Sequence, residues 1–397
     1  MADLAAHYDV VCVGGAMTGS SVAYFLGQNP DFDGSVLVVE PDWTYDRAMT
    51  TRAQNSIREQ FTNPTNIQLS SFGVDFMSQF DALVAIDGDA PELNFRGTGY
   101  LFLADSDGMF EQLAVEAEVQ AAMGAEVEML GPGHVAERFP YMDADAIAGA
   151  RLGGRREGSF DGWALFQGIR RRAMHDGATY VHDRVASIVV EGSRVTGVRL
   201  ESGRTIACGA VVNAAGCRAA QISDMVGLPL PVEPRARTSF VFGCRTNIEQ
   251  LVPLTVTPVG VHFRREQHHY MCGAVPVDDC RVDFDDLDAR HGEFEEQIWP
   301  ALARYVPCFD QIGIVTSWGG QYDYNTLDHN LVIGPSSQIE NFLFANGFSG
   351  HGLQQGPAVG RGLSEWITYG EYRTIDLTPL GYGRIERNEP ILELAVI

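Results

Sequence analysis

The sequence predicts a mixed α/β (α+β) fold in which a Rossmann-like parallel sheet is interleaved with a second domain of antiparallel strands. Three observations lead to this prediction: a strand–turn–helix–strand unit in residues 8–40, alternating strands between residues 185 and 274, and a second glycine-rich turn before a helix near residue 350. A chain of 397 residues is also long for one hydrophobic core, so two domains that share a crevice are expected.

The N-terminal unit begins with the apolar run Val10–Val13, which is too short for a helix and is followed by glycines, as in a buried parallel strand. A glycine turn at residues 14–19 leads into a predicted helix over Ser20–Leu26. A second apolar strand, Val36–Val39, ends at the acid Glu40. Strand, turn, helix, strand and terminal acid is the order of a dinucleotide-binding βαβ unit.

Within this unit, single residues have distinct physical roles. Gly14 permits the tight turn and Gly19 permits close packing of helix on strand, while the free N–H groups at the helix start favour a pyrophosphate. Glu40 lies 21 positions after Gly19, close to the spacing of about 20 residues expected for an acid that binds a ribose hydroxyl. Ala16 departs from the G-x-G-x-x-G pattern, because its methyl group crowds the backbone's approach to the phosphates. The unit predicts a dinucleotide site, and NAD and FAD both remain open at this point.

Composition argues against several classes of protein. The formal charge of −24 disfavours nucleic acid and anionic membranes as partners. No apolar run approaches the roughly 18 residues that a membrane span requires. All 28 basic residues are arginine, which rules out a Schiff-base lysine, a lysine general base and a P-loop lysine.

The cysteines and the first residues indicate the compartment. The seven cysteines are scattered without a C-x-x-C pair, which is typical of reduced thiols and argues against zinc and iron–sulfur sites. The N-terminal MADLAAHYD has neither a secretory nor a mitochondrial signal pattern. A cytoplasmic protein without a metal site is therefore expected.

The remaining elements follow from periodicity and turn residues. Residues 41–66 are polar and without clear period, and a loop of this length at the carboxyl end of a strand is expected to be functional. Predicted helices cover Ile67–Phe80, Met109–Met123, part of residues 130–142, Ala164–His175 and Phe294–Val306. Predicted strands cover Gly97–Ala104, Val127–Leu130, Val185–Val190, Arg194–Leu200, Thr205–Ala207, residues 211–216, Leu228–Cys244, a hairpin over Val259–Ala274, Leu331–Ile333 and Phe342–Ala345.

Two later segments have the composition of a site wall. Trp318–Asn330 combines aromatic and polar residues, and residues 346–367 (NGFSGHGLQQGPAVGRGLSEWI) form a second glycine turn that leads into a helix. Glycine turns before helices at the two ends of the chain imply that both ends close on one cofactor. Such an arrangement of two glycine turns is not expected of an ordinary nicotinamide-binding domain.

Seven motifs extend from the first strand to about Leu377: VCVGGAMTGSSVAYFL, SIREQF, GVHFR, VVNAAG, PLPVEPR, YDYNTLDHNLVIGP and GFSGHGLQQGPAVGRGLSEWI. On these motifs the chain resembles the D-amino-acid oxidase superfamily of FAD-dependent oxidoreductases, in its sarcosine oxidase, glycine oxidase and dimethylglycine dehydrogenase branch. YDYNTLDHN, GFSGHGLQQ and TIDLTPL are most similar to FAD-dependent oxidoreductase-domain proteins involved in complex I assembly and to their bacterial relatives.

The resemblance implies FAD stretched across the parallel sheet, under a roof of antiparallel strands. It implies a discontinuous FAD-binding domain at residues 1–90, 145–225 and 325–375, a substrate-binding domain at 91–144 and 226–324, and a C-terminal tail at 376–397. Several relatives attach the flavin to a His after the first acid or to a Cys ahead of the C-terminal turn. Both stretches lack such a residue here, so noncovalent FAD is expected.

Carried over position by position, the family's FAD-binding residues fall in four parts of the chain. These parts are the pyrophosphate turn with the ribose acid, the loop that passes the flavin, two positions near the adenine, and the turn under the flavin ring. The residues are Gly14, Ala16, Met17, Thr18, Gly19 and Glu40; Ala48, Thr50, Asn55, Ser56 and Ile57; Val185 and Gly216; and Gly347, Phe348, Ser349, Gly350, His351, Gly352 and Leu353.

Two arginines are candidates for binding a substrate carboxylate, because a guanidinium fork fits a carboxylate bidentately. Arg58 resembles the family's carboxylate anchor, and its alternative role is a surface ion pair. Arg264, in GVHFRRE, is the second candidate, whereas its neighbour Arg265 is expected to be solvated. Gln354 stands where sarcosine oxidases have a carboxylate-binding lysine, so weaker or redirected acid binding is expected.

Three further residues are candidates beside the flavin. His351 lies in the glycine turn and is either a structural histidine bonded to the backbone or a partner of the reduced flavin or a gate to it. Tyr322 and Tyr324 alternate with Asp323, so both either face the substrate or pack in the core. The same relatives use a lysine to activate oxygen, and its absence predicts slow oxygen use and hence a dehydrogenase.

The expected reaction is oxidation of the C–N bond of a small secondary or N-methylated amino acid, similar to sarcosine, dimethylglycine or glycine. Hydride would pass to FAD and the imine would then be hydrolysed. The expected partners are this carboxylate-bearing amine and an electron acceptor, which is oxygen, a quinone or an electron-transfer flavoprotein. Two alternatives stay open, namely a 2-hydroxy-acid dehydrogenase and a non-catalytic FAD-holding assembly or scaffold protein.

Overall fold

A computed structural model describes residues 4–396, and its architecture is mixed α/β, as the sequence predicts. The strands of this part of the chain are β1 (His7–Val13), β2 (Val36–Glu40), β3 (Ser56–Ile57), β4 (Tyr100–Ala104), β5 (Val127–Leu130), β6 (Gly149–Gly153), β7 (Gly158–Ser159), β8 (Thr179–His182), β9 (Val185–Glu191), β10 (Arg194–Leu200), β11 (Thr205–Asn213), β12 (Val232–Cys244), β13 (Leu254–Val256), β14 (His262–Glu266), β15 (His269–Gly273), β16 (Ile312–Asn325), β17 (Val332–Pro335) and β18 (Phe342–Asn346).

The helices connect these strands and cover their faces. They are α1 (Met17–Gly27), α2 (Met49–Arg52), α3 (Pro64–Ser78), α4 (Phe80–Val84), α5 (Asp107–Ala122), α6 (Pro132–Arg138), α7 (Gly162–His175), α8 (Ala219–Asp224), α9 (Trp299–Tyr305), α10 (Gly352–Tyr369) and α11 (Gly383–Arg387). A single π-helical turn, Phe294–Ile298, leads directly into α9.

The first sheet has the order β17-β18-β11-β1-β2-β8, and β10 and β9 extend it from β11. β1 is parallel to both β11 and β2, and β11 is parallel to β18. Helices α1, α7 and α10 pack on one face of these central strands, and β9, β10 and α8 pack on the other, which explains the unbroken apolar runs of β1 and β2. The ligand crevice of such a sheet lies at the carboxyl ends of its strands.

The second sheet has the order β16-β12-β15-β14-β13-β4-β6-β5 and is mostly antiparallel. Its longest pairing joins β12 to β16, from Val232 opposite Asn325 to Cys244 opposite Ile312. Strands of this sheet come from two separate parts of the chain, residues 100–153 and 232–325, and those of the first sheet come from three. The domain boundaries expected from the sequence remain a prediction.

Helices α1 and α10 bring the two glycine turns together. A Cβ on Gly360 would lie 2.6 Å from the Cβ of Ser21, and a Cβ on Gly356 would lie 2.7 Å from Cγ of Met17. The small residues on the first face of α10 therefore allow it to lie directly against α1. Within residues 4–396, no helix is both long and apolar enough to cross a membrane.

Three predicted elements differ from the structure. The two short strands expected at 205–207 and 211–216 form the single strand β11, because its pairing with β1 continues from His7 opposite Ala207 to Val13 opposite Asn213. The helix expected over Phe294–Val306 is divided into the π turn and α9. The polar segment 41–66 contains α2, β3 and the start of α3, whose N-cap Asn63 accepts a hydrogen bond from the N–H of Thr65.

Candidate active site

The N-terminal glycine turn lies at the carboxyl end of β1, and α1 begins directly after it with Ala16 at its N-cap. Gly14 has φ of +101°, and a Cβ there would lie 2.4 Å from the carbonyl oxygen of Ala214. A Cβ on Gly19 would lie 1.9 Å from the carbonyl oxygen of Gly14. Both positions require glycine, and the N–H groups at the start of α1 provide a site for an anion.

The acid at the end of β2 is held by the backbone beside this turn. Oε2 of Glu40 accepts the N–H of Gly15 at 2.8 Å, and Oε1 accepts the N–H of Asp42 at 2.8 Å. Burial of the side chain raises the pKa of Glu40. A carboxyl fixed in this way has lone pairs left for ribose hydroxyl groups.

A central cavity of about 570 Å³ begins at this turn and extends to the face of the second sheet. Most of the predicted FAD-binding residues line it: Gly14, Ala16, Met17, Thr18, Glu40, Ala48, Thr50, Asn55, Ser56, Val185, Gly216, Phe348, Gly350, His351, Gly352 and Leu353. The cavity lining does not include the predicted residues Gly19, Ile57, Gly347 and Ser349.

The second glycine turn, between β18 and α10, is fixed by β16. Oδ2 of Asp323 accepts the N–H of Phe348 at 3.1 Å, and the Asp323 carbonyl accepts the N–H of Ser349 at 3.3 Å. Burial raises the pKa of Asp323 to about 6. Gly350 has φ of +99°, and a Cβ there would lie 2.5 Å from the ring of Tyr322. The turn and the predicted site wall are thus packed against each other at the cavity.

Arg58, His351 and Gln354 meet in the wall of the cavity. The side chain of Arg58 is buried, with 2% of its surface exposed, rather than forming a surface ion pair. Its Nη2 lies 3.1 Å from Nε2 of His351, and its backbone N–H donates to Oε1 of Gln354 at 3.0 Å. Nη2 also donates to the carbonyl oxygen of Ala395. The guanidinium lies over the ring of Phe61, 4.5 Å from its centroid.

Arg58 forms no ion pair within residues 4–396, because its hydrogen-bond partners are neutral and the buried carboxyl of Glu157 acts on it only at longer range. A guanidinium has no acceptor, so Nε2 of His351 accepts from it and the neutral ring has its proton on Nδ1. Burial and the positive charge of Arg58 lower the pKa of His351 well below its usual value. The guanidinium of Arg58 is therefore left without a hydrogen-bonded carboxylate, and this part of the cavity favours an anion.

Tyr322 lines the cavity together with Arg237, an arginine that sequence reasoning missed. The guanidinium of Arg237 lies 4.6 Å from the centroid of the Tyr322 ring. It also forms two hydrogen bonds to Asp279, of 2.7 and 3.1 Å. Because Asp279 neutralises it, Arg237 is a weaker anion site than Arg58.

Tyr324 and Arg264 are placed outside the cavity wall. Tyr324 packs on Arg235 at 4.9 Å and on the ring of His329 at 4.9 Å. Arg264 is paired with Glu266 and donates to the carbonyl of Gln54 at 2.9 Å. Arg264 therefore fixes the loop that precedes Arg58.

His262, Gln54 and Ser239 form a polar part of the wall that the sequence did not identify. Nε2 of His262 lies 2.8 Å from Oε1 of Gln54, whose Nε2 donates to Oγ of Ser239 at 3.1 Å. Burial, followed by the charge of Arg58, lowers the pKa of His262 to about 4. The sequence could have indicated His262 through the alternation of side chains in GVHFR, which places His262 and Arg264 on one face of β14.

Behind Arg58 lies a buried network from the SIREQF motif. Oε1 of Glu157 accepts the N–H of Glu59 at 2.8 Å, and Oε2 accepts from Nε2 of Gln60 at 2.7 Å. The carboxylate of Glu59 is paired with Arg156 at 3.2 Å. Burial raises the pKa of Glu157 to about 7. This network fixes the backbone that follows β3 against the segment that precedes β7.

Five residues of the cavity wall have a buried polar atom without a hydrogen-bond partner in residues 4–396. They are Asn55 (Oδ1), Arg58 (Nε), Arg237 (Nε), His262 (Nδ1) and His351 (Nδ1). Buried polar groups are normally paired, so this concentration around one cavity indicates a polar ligand. The helix N-terminus, the carboxylate of Glu40 and the second glycine turn fit FAD.

The family model described as FAD dependent oxidoreductase (DAO) matches residues 9–366. FAD-dependent oxidoreductase domain-containing protein 1 of Xenopus laevis is 35% identical over 424 aligned positions, covering 98% of this chain and 85% of the relative. Sarcosine oxidase subunit beta of Rhizobium meliloti is 26% identical and is aligned over 89% of this chain and 83% of its own length.

Among solved structures, L-proline dehydrogenase from P. horikoshii matches with a TM-score of 0.86 at 24% identity. The match covers 98% of this chain and all of that chain. It confirms the predicted fold class and, at this identity, carries nothing about the substrate.

Proposed function

The chain belongs to the DAO family of FAD-dependent oxidoreductases, which confirms the resemblance seen in its motifs, and we propose that it oxidises a small secondary or N-methylated amino acid at the C–N bond. The observation that carries this proposal is Arg58, a buried cation with neutral partners in the cavity wall. A buried charge without a hydrogen-bonded counter-ion is costly, and a substrate carboxylate would supply one.

FAD would be held by the residues that line the cavity. The start of α1 would bind the pyrophosphate and Glu40 a ribose hydroxyl, while Asn55 and the second glycine turn, residues 347–352, would contact the flavin ring. When bound, FAD supplies the acceptor for the hydride that leaves the substrate carbon.

The residues of the chain would bind the substrate and keep it neutral at nitrogen. Arg58 would donate to the carboxylate, and Tyr322 and the neutral His351 would limit where the amine can lie. We propose that Tyr324 and Arg264 act indirectly, without contacting the substrate. Tyr324 packs on Arg235, and Arg264 holds the carbonyl of Gln54. Loss of hydride from the neutral amine leaves an iminium, and water then releases the amine and the carbonyl product.

An anaerobic screen tests this function. The purified holoprotein is mixed with N-methylated and secondary amino acids in one series and with 2-hydroxy acids in another, while the flavin absorbance is followed. Bleaching by the amines supports the proposal. Bleaching by the hydroxy acids alone would instead assign a 2-hydroxy-acid dehydrogenase. A flavin that neither series reduces, with a partner protein recovered alongside it, would indicate an assembly or scaffold role.

The same holoprotein allows a test of the electron acceptor. Because the chain has no lysine, the oxygen-activating lysine of the relatives has no counterpart. We expect the reduced flavin to be reoxidised slowly by oxygen and faster by an artificial quinone. Rapid peroxide formation with a good substrate would contradict a dehydrogenase.

We expect FAD to be bound noncovalently. Cys217 lies in the cavity wall, and burial raises the pKa of its thiol well above the usual value, which disfavours a flavin–thiolate bond. Acid precipitation should therefore leave the yellow flavin in the supernatant. Flavin absorbance that stays with the washed protein pellet would show a covalent link.

The pH dependence of kcat/KM should report the substrate amine. Above pH 8, His262 and His351 are neutral because their pKa values are lowered. Glu157 and Asp323 are ionised there, because pH 8 lies above their pKa values of about 7 and about 6. From pH 8 upward, kcat/KM should rise about tenfold per unit until the amine is neutral. For two substrates whose amine pKa values differ by about one unit, the pH at which kcat/KM stops rising should differ by about one unit as well. The same pH for both substrates would assign the titration to a group of the protein.

A further inference from the structure

The segment that follows α11 runs back to the central cavity. Its Glu393 is fully buried, and Oε1 accepts the N–H of Thr62 at 3.0 Å and its hydroxyl at 2.7 Å. Oε2 accepts the N–H of Asn63 at 3.2 Å and Nδ2 of Asn66 at 2.8 Å. One carboxylate thus fastens residues 391–396, here called the tail segment, to the start of α3.

A second anchor holds the beginning of the tail segment. Oδ2 of Asp328 accepts the N–H of Ile391 at 2.9 Å, and the Asp328 carbonyl accepts the N–H of Glu393 at 3.1 Å. Asp328 itself is paired with Arg384 at 3.0 Å, with both side chains buried. The tail segment is therefore fixed at both Asp328 and Glu393.

Ala395 lies where the tail segment reaches the anchor arginine. It packs with Phe61 and Ile67, and its N–H donates to Oε1 of Glu393 at 3.0 Å. Its carbonyl accepts from Nη2 of Arg58, the nitrogen that also meets His351. Ala395 thus links the two side chains, since its N–H contacts Glu393 and its carbonyl contacts Arg58.

We infer that Glu393 is a positioning residue for substrate binding, because it holds the Ala395 carbonyl against Arg58. This inference rests on the proposed role of Arg58 as the carboxylate anchor. A carbonyl oxygen orients the guanidinium without cancelling its charge, whereas a carboxylate in that place would compete with the substrate. The tail segment therefore fixes the direction of Arg58 and leaves its charge for the ligand.

The test measures binding of acetate and of its neutral isostere acetamide to the FAD-loaded protein, through the change in flavin absorbance. Glu393→Ala should raise the Kd for acetate at least tenfold and change the response to acetamide less than twofold. Glu393→Gln, which retains one acceptor oxygen, should recover part of the acetate affinity. Leu392→Ala is the matched control, since this side chain of the same segment is 50% exposed, and its acetate Kd should be unchanged.

Two results would overturn the inference in different ways. An acetate Kd for Glu393→Ala within twofold of the unaltered protein would show that the tail segment does not position Arg58. An unaltered protein whose flavin spectrum does not respond to acetate would instead refute the carboxylate site itself. If Glu393→Ala does not fold, Thr62→Val, which removes one donor to Glu393, should raise the acetate Kd about threefold, and no change there would also overturn the inference.

Discussion

Replacing Arg58 by methionine should lower kcat/KM for the amine that reduces the flavin by roughly a hundredfold, with most of the loss in KM. The physical reason is that removal of one partner of a buried, hydrogen-bonded charge pair costs about 3 kcal/mol. Methionine retains much of the packing over Phe61, so the FAD content should change little. Steady-state kinetics and the acetate titration measure the two effects separately.

Arg264→Met is the matched control for Arg58→Met. Arg264 is also buried, but it is paired with Glu266 and lies outside the cavity wall. Its loss should lower the thermal stability and leave the preference for acetate over acetamide in place. The opposite pattern, with acetate binding lost only in Arg264→Met, would make Arg264 the carboxylate anchor.

Replacing Gly19 by alanine should produce a largely colourless protein. The added methyl group would lie 1.9 Å from the carbonyl oxygen of Gly14, so α1 must move away from the turn that presents its N–H groups. We expect the Kd for FAD to rise at least tenfold, measured by reconstitution of the stripped protein and by the ratio of flavin to protein absorbance.

Gly133→Ala is the control for this substitution. Gly133 lies in the first turn of α6, has no positive φ, and a Cβ there would meet no atom within 4 Å. This variant should bind FAD as the unaltered protein does. Full yellow colour in Gly19→Ala would show that the packing of α1 on the turn does not determine cofactor affinity.

The parts of the site that sequence reasoning found are those with local signals. The run Val10–Val13, the glycine turn and Glu40 lie within about 30 residues, and each has a residue type that the backbone geometry demands. The second glycine turn was found for the same reason, since Gly350 has no space for a side chain beside Tyr322.

Residues that the sequence missed depend on pairings between distant segments. Arg237 belongs to the wall because β12 pairs with β16, which brings it beside Tyr322. His262 reaches Gln54 across 208 positions of sequence. Periodicity shows which face of a strand a residue occupies but not which strand lies beside it, so these contacts had no signal in a single sequence.

The polar segment 41–66 shows a different kind of omission. Its function was expected from its length, and Ala48, Thr50, Asn55 and Ser56 do line the cavity. Its secondary structure was missed, although Asn63 followed by Pro64 is a good N-cap and first position for a helix. Short elements such as α2 and β3 are fixed by tertiary contacts rather than by propensity.

The packing of α1 on α10 has a consequence for biosynthesis. Strand β1 is flanked by β11, and β11 by β18, so the centre of the first sheet is assembled from segments that are far apart in the sequence, residues 7–13, 205–213 and 342–346. After the βαβ unit has been synthesised, the face of α1 that packs on α10 stays uncovered until more than 300 further residues have been added. Folding of this protein is therefore expected to depend on chaperones that shield that face, and flavin capture to follow the synthesis of α10.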